Sequence, residues 1–270
     1  MCRVSIIMGI YNCAQTLPEA LDSILNQTYK DYQVIMCDDG STDGTYDIAQ
    51  KYVESHSNFL LIKNEKNLKL AATLNHCLEY ADSEYIARMD GDDISLPERL
   101  EMLIRFLDEH SEYSFVSSAM IHFDETGDWK VTQKTENPTK DSFKWGSPFC
   151  HAPVMMRKKD LNAIGNYTAE PKVERMEDYY LWHKFYMAGY KGYNLQTPLY
   201  KMRDDKNATE RRRGIKANYI GYKTDLEILK DLGISCYWIV PTLRFVATSL
   251  IPHFMMHSIR KLKGKMIYHA

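Results

Sequence analysis

The sequence predicts an α/β protein, with a mostly parallel, Rossmann-like sheet flanked by helices and a helical C-terminal extension. Short apolar runs rich in β-branched residues alternate with amphipathic stretches in the first part of the chain, which is typical of doubly wound parallel sheets. Two of these runs end in acidic turns, and the charge balance changes after residue 205. A chain of 270 residues can bury one large core, or one core with an appendage.

Strands and helices are expected to alternate up to about residue 108. The apolar runs predict strands over residues 4–8, 33–37, 59–62 and 84–87. The intervening helices should begin near Thr16, Tyr46, Leu70 and Leu96. The first of them carries the capping-box pattern Thr16-Leu17-Pro18-Glu19, with proline in the first turn.

A different pattern follows residue 108 and predicts α+β structure built onto the sheet. Strands are expected over residues 114–122 and 153–156, a turn at 127–129 and an amphipathic helix over 177–188. Short apolar segments at 193–195 and 198–200 complete this part.

The C-terminal region is basic, whereas the rest of the chain is acidic. Residues 206–270 hold 12 Lys and Arg against 4 Asp and Glu, and the remainder holds 22 against 32. The apolar stretch 236–256 is interrupted by Pro241, Arg244 and Pro252, so we do not expect it to span a membrane. Because a basic cluster follows at 260–265, the stretch is predicted to lie on an anionic membrane surface. The alternative is a helix packed on the body of the protein.

The cysteines and the first residues favour a cytoplasmic protein. Six cysteines are scattered without zinc or C-x-x-C spacing, which is typical of reduced thiols. No signal peptide is expected, because the first residues lead directly into a strand pattern.

Three carboxylates follow the fourth predicted strand, at Asp90, Asp92 and Asp93. The carboxyl ends of strands are where open α/β sheets bind ligands. Carboxylates this close repel one another, so we expect a cation there, and oxygen ligands suit Mg²⁺ or Mn²⁺. The alternative is a solvated acidic turn.

A second acidic strand end, Asp38-Asp39, narrows the class of ligand. Neither acidic end follows a G-x-G-x-x-G sequence, and the chain has no Walker loop, which disfavours dinucleotides and triphosphates. A carboxylate can accept an imide N–H of a base while a metal bridges a diphosphate. A sugar nucleotide therefore fits best.

The sequence resembles the family 2 glycosyltransferases, which are inverting enzymes of the GT-A fold. Five stretches keep the order and rough spacing of that family: residues 4–12, 24–29, 38–44, 89–97 and 177–178. The resemblance covers about residues 3–205. It implies a GT-A domain over 1–205, with a nucleotide-sugar half at 1–110 and an acceptor half at 111–205, and an extension at 206–270.

The resemblance implies the contacts of the donor. Tyr11 and the backbone around Ile10 would lie against the uracil, and Asp39 would accept its N3–H. In the D-x-D pattern, Asp92 would be the direct metal ligand, while Asp90 would face the ribose and support the metal. Gly91 between them would also contact the nucleotide sugar. Arg99, in the following helix, is either a surface cation or a phosphate contact.

The resemblance also implies a catalytic base, Asp178. In an inverting transferase one carboxylate deprotonates the attacking hydroxyl, and Glu177 and His151 would lie on the acceptor side. The alternatives are helix N-terminal carboxylates and a buried structural histidine. Trp145 and Trp182 are expected in the core, with stacking on a sugar as the alternative.

Two positions depart from the family pattern. Lys69 stands where the family usually has glycine, and it could contact the diphosphate. The family's Tyr-Arg-x-His reads Tyr200-Lys201-Met202-Arg203 here, so a histidine metal ligand is absent and Lys201 or Arg203 could neutralise the diphosphate instead.

Taken together, these features predict an inverting, metal-dependent glycosyltransferase that moves a hexose or N-acetylhexosamine from a UDP-sugar to a glycan acceptor. A polyprenyl-linked acceptor at the inner face of the cell membrane fits the C-terminus, as in surface polysaccharide synthesis. The alternatives are a sugar nucleotidyltransferase, which the cation-free loop 9–13 disfavours, and a non-catalytic binding module. A nucleic-acid role is unsupported, since the one arginine run lacks a binding motif.

Overall fold

The computed structural model describes residues 2–204 and 215–250. Over these residues it has nine strands: β1 (Val4–Ile10), β2 (Tyr32–Asp38), β3 (Phe59–Lys63), β4 (Tyr85–Arg88), β5 (Ile94–Ser95), β6 (Phe115–Asp124), β7 (Gly127–Thr132), β8 (Met155–Arg157) and β9 (Gly192–Arg203). The described helices are α1 (Leu17–Leu25), α2 (Thr45–Ser55), α3 (Leu70–Glu79), α4 (Arg99–Glu109), α5 (Lys158–Ala163), α6 (Glu177–Met187), α7 (Ile215–Asp231) and α8 (Ile239–Leu250).

All nine strands belong to one sheet in the order β3-β2-β1-β4-β8-β6-β9-β5, with β7 paired to β6. Strands β1 to β4 run parallel to one another, and so do β6 and β9. Strand β8 is antiparallel to both β4 and β6, and it joins the two parallel groups. The prediction of a mostly parallel sheet flanked by helices is confirmed.

Two apolar layers cover the two faces of the sheet. Alternate side chains of β1 enter different layers, with Ile6 and Met8 in one and Ile7 in the other, as the period of two in a strand requires. The first layer is completed by helices α1, α2 and α4. The second is completed by α3, α6 and α7, so α7 packs against this face of the sheet.

Three local predictions differ from the structure. The turn predicted at 127–129 lies at 125–126, and Gly127 already starts β7, which forms a hairpin with β6. Residues 192–203 form one strand, β9, with a shift in register against β6. The Thr16 capping box does not form, since the Thr16 hydroxyl donates to the carbonyl of Gly91 at 2.9 Å.

Much of the C-terminal prediction falls outside the described residues. The arginine run at 211–213 and the basic cluster at 260–265 lie there. None of the helices in the described part of the chain combines the length and the apolar character needed to cross a bilayer.

Candidate functional site

The carboxyl ends of β1, β2 and β4 meet at one edge of the sheet, because these strands are parallel neighbours. A cleft of about 470 Å³ opens at this edge. Its walls include Tyr11, Asp90, Asp92 and Arg203, which come from three separate parts of the chain. Tyr11 is 48% exposed there, so its ring is free to lie against a planar ligand. The structure thus brings together four of the residues predicted for the donor side.

Three carboxylates surround one point in this cleft. Asp90, Asp92 and Asp93 each place one oxygen within 4.8 Å of the others. Asp93 is almost completely buried, and its Oδ1 accepts the backbone N–H of Arg203 at 2.7 Å. Its Oδ2 is buried without a hydrogen-bond partner in the described structure. Burial and the two neighbouring carboxylates raise the pKa of Asp93 well above its usual value. A hard divalent cation would satisfy this oxygen and the excess negative charge.

Arg88, which was not predicted as a site residue, is a cation in direct contact with this cluster. Its buried guanidinium forms an ion pair with Asp90 Oδ1, and Tyr200 Oη accepts the backbone N–H of Asp90 at 3.2 Å. A cation inside the apolar end of a strand, directly before the acidic turn, is the sequence signal that could have found it.

The structure contradicts both predictions made for Arg99 from the sequence, a surface cation and a phosphate contact. It is 0% exposed, and its Nη1 donates to the carbonyl of Arg88 at 2.8 Å. Its guanidinium lies 5.2 Å from the centre of the Tyr200 ring, and burial lowers its pKa. Arg99 therefore supports the acidic turn from beneath and is neither a surface cation nor exposed to a phosphate.

Asp39 fixes the loop that precedes α3. Its carboxylate accepts the backbone N–H of Leu68 at 2.7 Å and that of Lys69 at 3.0 Å, together with the Asn64 side-chain amide at 2.8 Å. Lys69 adopts φ 74° and ψ 164°, a region that is essentially reserved for glycine. The backbone at this position thus has the conformation expected of the family's glycine, although the residue is lysine.

The predicted base and its neighbour begin helix α6, where Glu177 and Asp178 form the first turn. Burial raises the pKa of Asp178, and the nearby Arg88 guanidinium lowers it to a smaller extent. Burial and the Asp178 charge raise the pKa of Glu177 to about 7. The common influence of Arg88 indicates that the two carboxylates of α6 and the acidic cluster of β4 share one neighbourhood.

A second cavity, of about 330 Å³, opens beside these carboxylates. Lys69 and Glu177 line it from opposite parts of the chain, together with the segment 168–175. The loop held by Asp39 and the helix that carries Asp178 therefore face the same space.

The remaining predicted residues, Arg203, Lys201 and His151, have three different environments. Arg203 lines the cleft, where its Nε donates to the Asp92 carbonyl at 3.0 Å and its Nη2 to Glu19 at 2.5 Å. Lys201 is directed away, because it pairs with Asp128 at 2.8 Å. His151 contacts the Tyr167 hydroxyl at 2.9 Å, and burial lowers its pKa well below the usual value, which matches the structural alternative.

The two tryptophans considered earlier have different environments. Trp182 is 0% exposed and stacks on Phe115 with ring centres 4.7 Å apart, so its place in the core is confirmed. Trp145 is 78% exposed, so the prediction that it lies in the core is wrong.

A Rossmann-like sheet with carboxylates at its strand ends is the arrangement of GT-A glycosyltransferases, and comparison with known proteins confirms this class. The family model described as Glycosyl transferase family 2 matches residues 5–165. This is more than half of the chain, and the chain belongs to that family. It is therefore a glycosyltransferase.

Individual relatives extend the similarity beyond the matched region. The chain is 46% identical over 211 residues to a Bacillus subtilis protein assigned as glycosyltransferase EpsE, covering 78% of this chain and 76% of that protein. It is 31% identical over 245 residues to the Escherichia coli UDP-Gal:alpha-D-GlcNAc-diphosphoundecaprenol beta-1,3-galactosyltransferase, covering 82% of this chain and 86% of that enzyme. The structure of Staphylococcus aureus TarS residues 1–349 with UDP-GlcNAc matches with a TM-score of 0.67 and 22% identity, over 94% of this chain and 73% of that one. The last comparison supports the GT-A fold.

Proposed function

We propose that the protein is an inverting glycosyltransferase that moves a hexose or N-acetylhexosamine from a UDP-sugar to a lipid-linked glycan acceptor in surface polysaccharide synthesis. One observation carries this proposal. Two acidic groups, Asp90 to Asp93 and Glu177 to Asp178, both interact with the charge of the Arg88 guanidinium. The first group suits a metal and a diphosphate, whereas the second suits the removal of a proton.

The cleft supports a UDP-sugar donor. Tyr11 supplies an exposed ring beside the strand ends, and Ile10 and Asp39 would complete the uracil contacts. Asp90, Gly91 and Asp92 line the part of the cleft that the diphosphate and ribose would occupy. Mn²⁺ or Mg²⁺, held by Asp92, Asp90 and the unsatisfied oxygen of Asp93, would offset the negative charge of the leaving diphosphate. The guanidinium of Arg203 adds a fixed positive charge at the same wall.

Asp178 would act as the general base. Its carboxylate takes the proton of the acceptor hydroxyl while that oxygen attacks the anomeric carbon. The bond between the anomeric carbon and the diphosphate breaks on the opposite face, so the configuration at this carbon is inverted. Burial favours this role, because it raises the pKa of Asp178 and thereby makes the carboxylate a stronger base.

Two observations support a lipid-linked acceptor. The relative from Escherichia coli is named for an acceptor joined to diphosphoundecaprenol. The region 206–270 is basic, with 12 Lys and Arg against 4 Asp and Glu, which suits an anionic membrane surface. We therefore place the enzyme at the inner face of the cell membrane, with a transferase domain at 1–205 and a membrane-associating extension at 206–270.

A donor panel tests this proposal. UDP-, GDP- and dTDP-sugars would be incubated with the enzyme and Mn²⁺ or Mg²⁺, with and without a membrane lipid extract, and nucleoside diphosphate release would be measured. We expect release from one UDP-sugar that is abolished by EDTA and increased by the extract. Release from a GDP- or dTDP-sugar alone, or release that resists EDTA, would contradict the proposed donor or the proposed metal.

A further inference from the structure

An apolar groove lies between helices α7 and α8 and the segment that leads into α6. Its volume is about 290 Å³, close to the lower end of the roughly 300–1,000 Å³ found for small-ligand sites. Its apolar walls are formed by Met176, Gly221, Tyr222, Pro241 and Phe245. The Tyr222 and Phe245 rings pack 5.1 Å apart, and they fix α8 against α7.

This groove adjoins the proposed acceptor side of the active site. Glu174 and Arg175 line both the groove and the cavity that contains Lys69 and Glu177. Met176, which also lines the groove, directly precedes Glu177 and Asp178. A molecule lying along the groove would therefore end next to the first turn of α6, which carries the predicted base.

Helix α8 is apolar on two opposite faces. Pro241 and Phe245 face the groove. Ile239, Leu243 and Val246 follow the i, i+4, i+7 spacing of a second face, and their exposures are 37%, 65% and 49%. Helices of globular proteins normally turn one apolar face inward and a polar face outward. The apolar outer face of α8 is thus suited to contact with lipid.

The charge of the C-terminal region indicates an anionic lipid. Residues 206–270 carry eight more positive than negative charges. In the groove itself Arg175 and Arg244 are balanced by Glu174 and Asp225, and Arg244 is held there by Asp225 at 2.9 Å and by the Lys144 carbonyl at 3.2 Å. A polyprenyl diphosphate combines an apolar chain with negative charge at one end, which matches an apolar groove next to a basic region.

We infer that the α7–α8 groove binds the first part of the polyprenyl chain of a diphosphate-linked acceptor and directs its glycan to Asp178. This inference rests on the function proposed above and names the element that would recognise the acceptor. The outer face of α8 lies on the membrane surface, from which such an acceptor would enter the groove.

Filling the groove tests this inference. An ideal Cβ on Gly221 would lie 3.7 Å from the Met176 sulfur, which is ordinary contact, so Gly221→Ala should fit. Gly221→Phe should occupy the space and weaken binding of undecaprenyl diphosphate in detergent micelles at least tenfold, with a much smaller loss for Gly221→Ala. Phe245→Glu places a charge on the α8 wall and should weaken binding similarly, which keeps the test open if Gly221→Phe does not fold. Unchanged affinity in a folded groove variant would overturn the inference.

The outer face of α8 is tested separately with lipid vesicles. Leu243→Glu should reduce co-sedimentation with vesicles of phosphatidylglycerol and phosphatidylcholine in equal parts. Tyr80→Glu, at a 48% exposed position at the end of α3, is the matched control. Equal losses in the two variants would overturn the role of α8.

The failure of this inference can be distinguished from failure of the proposed function. If UDP-sugar transfer to a soluble glycan equals transfer to the same glycan on undecaprenyl diphosphate, the groove is not an acceptor site although the transferase function stands. If the donor panel gives no metal-dependent release from any UDP-sugar, the proposed function fails, and the inference that rests on it fails too.

Discussion

The two acidic groups at the edge of the sheet differ in how their charge is held. In the β4 group, Asp90 pairs with the Arg88 guanidinium, and Asp93 accepts a backbone N–H from Arg203. In the α6 group, burial is the largest influence on Glu177 and Asp178, as it is on Asp93, and it raises all three pKa values. The groups differ in number and partners: three clustered carboxylates beside an arginine are suited to hold a cation, whereas two carboxylates at the start of a helix are suited to accept a proton. This difference is the reason why we propose the first group for the donor and the second for the acceptor.

The largest expected effect concerns Asp178, the proposed proton acceptor of the α6 group. Asp178→Asn keeps the size of the side chain but removes its basicity. We expect transfer to fall roughly 10²–10⁴-fold, the usual contribution of a general base, while UDP binds as in the unmodified enzyme. Turnover would be followed by release of UDP. Retention of most of the activity would exclude Asp178 as the base.

The second prediction concerns Arg88, the cation whose charge acts on both groups. Arg88→Met would leave Asp90 without its ion-pair partner, at a cost of about 3 kcal/mol in the free energy of unfolding. Mn²⁺ should restore more stability to this variant than to the unmodified protein, because the metal would take over the neutralisation of Asp90. Denaturant unfolding with and without Mn²⁺ measures both values. An equal effect of Mn²⁺ on both proteins would show that Arg88 does not influence metal binding at Asp90.

The third prediction uses the pKa of Glu177. Its folded-state pKa of about 7 lies above the ordinary 4.5, so the folded protein favours the protonated form. Stability from this group is therefore greatest at low pH and is lost as the pH rises from about 4.5 to about 7. Glu177→Gln should be the more stable protein at about pH 8, by at most about 3 kcal/mol, and the gain should shrink near pH 5. The control is Glu174→Gln, at an exposed position in the segment before α6. A gain that does not change with pH would contradict the burial of Glu177.

The smallest effect is expected at Lys69, where strain and charge can be separated. Lys69→Gly removes the side chain and also the steric strain of the positive φ, because glycine adopts this angle freely. Lys69→Ala removes the long side chain but keeps the strain. The glycine variant should be more stable than the alanine variant by about 1 kcal/mol. If the lysine contacts the diphosphate, both variants should bind UDP more weakly and to the same extent. Thermal unfolding measures the difference in stability, and calorimetry with UDP measures the change in affinity.

The parallel half of the fold could be predicted from the sequence because its signals are local. Each strand from β1 to β4 is a continuous apolar run, and the next helix follows within a few residues. The acidic residues stand directly at the ends of these runs, so Asp39, Asp90 and Asp92 were found by position alone. Their assigned contacts with a nucleotide stay predictions.

The second half and the interior of the site could not be predicted in this way, because long-range pairing forms them. Strand β9 forms by pairing with β6, from which β7, β8, α5 and α6 separate it in the chain. The burial of Arg99 depends on Tyr200, about 100 residues further along the chain, whose ring covers the guanidinium. In an amphipathic helix a charged residue predicts solvent exposure. The sequence pattern of α4 therefore predicts an exposed Arg99, whereas the structure buries it.

The account is tested most directly by measuring UDP affinity by calorimetry, with and without Mn²⁺, for Asp92→Asn and Asp178→Asn. We predict that Asp92→Asn loses the part of the affinity that depends on Mn²⁺, whereas Asp178→Asn keeps it and binds UDP normally. The same loss of metal-dependent affinity in both variants would show that the two acidic groups share one role, and it would contradict the division of labour proposed here.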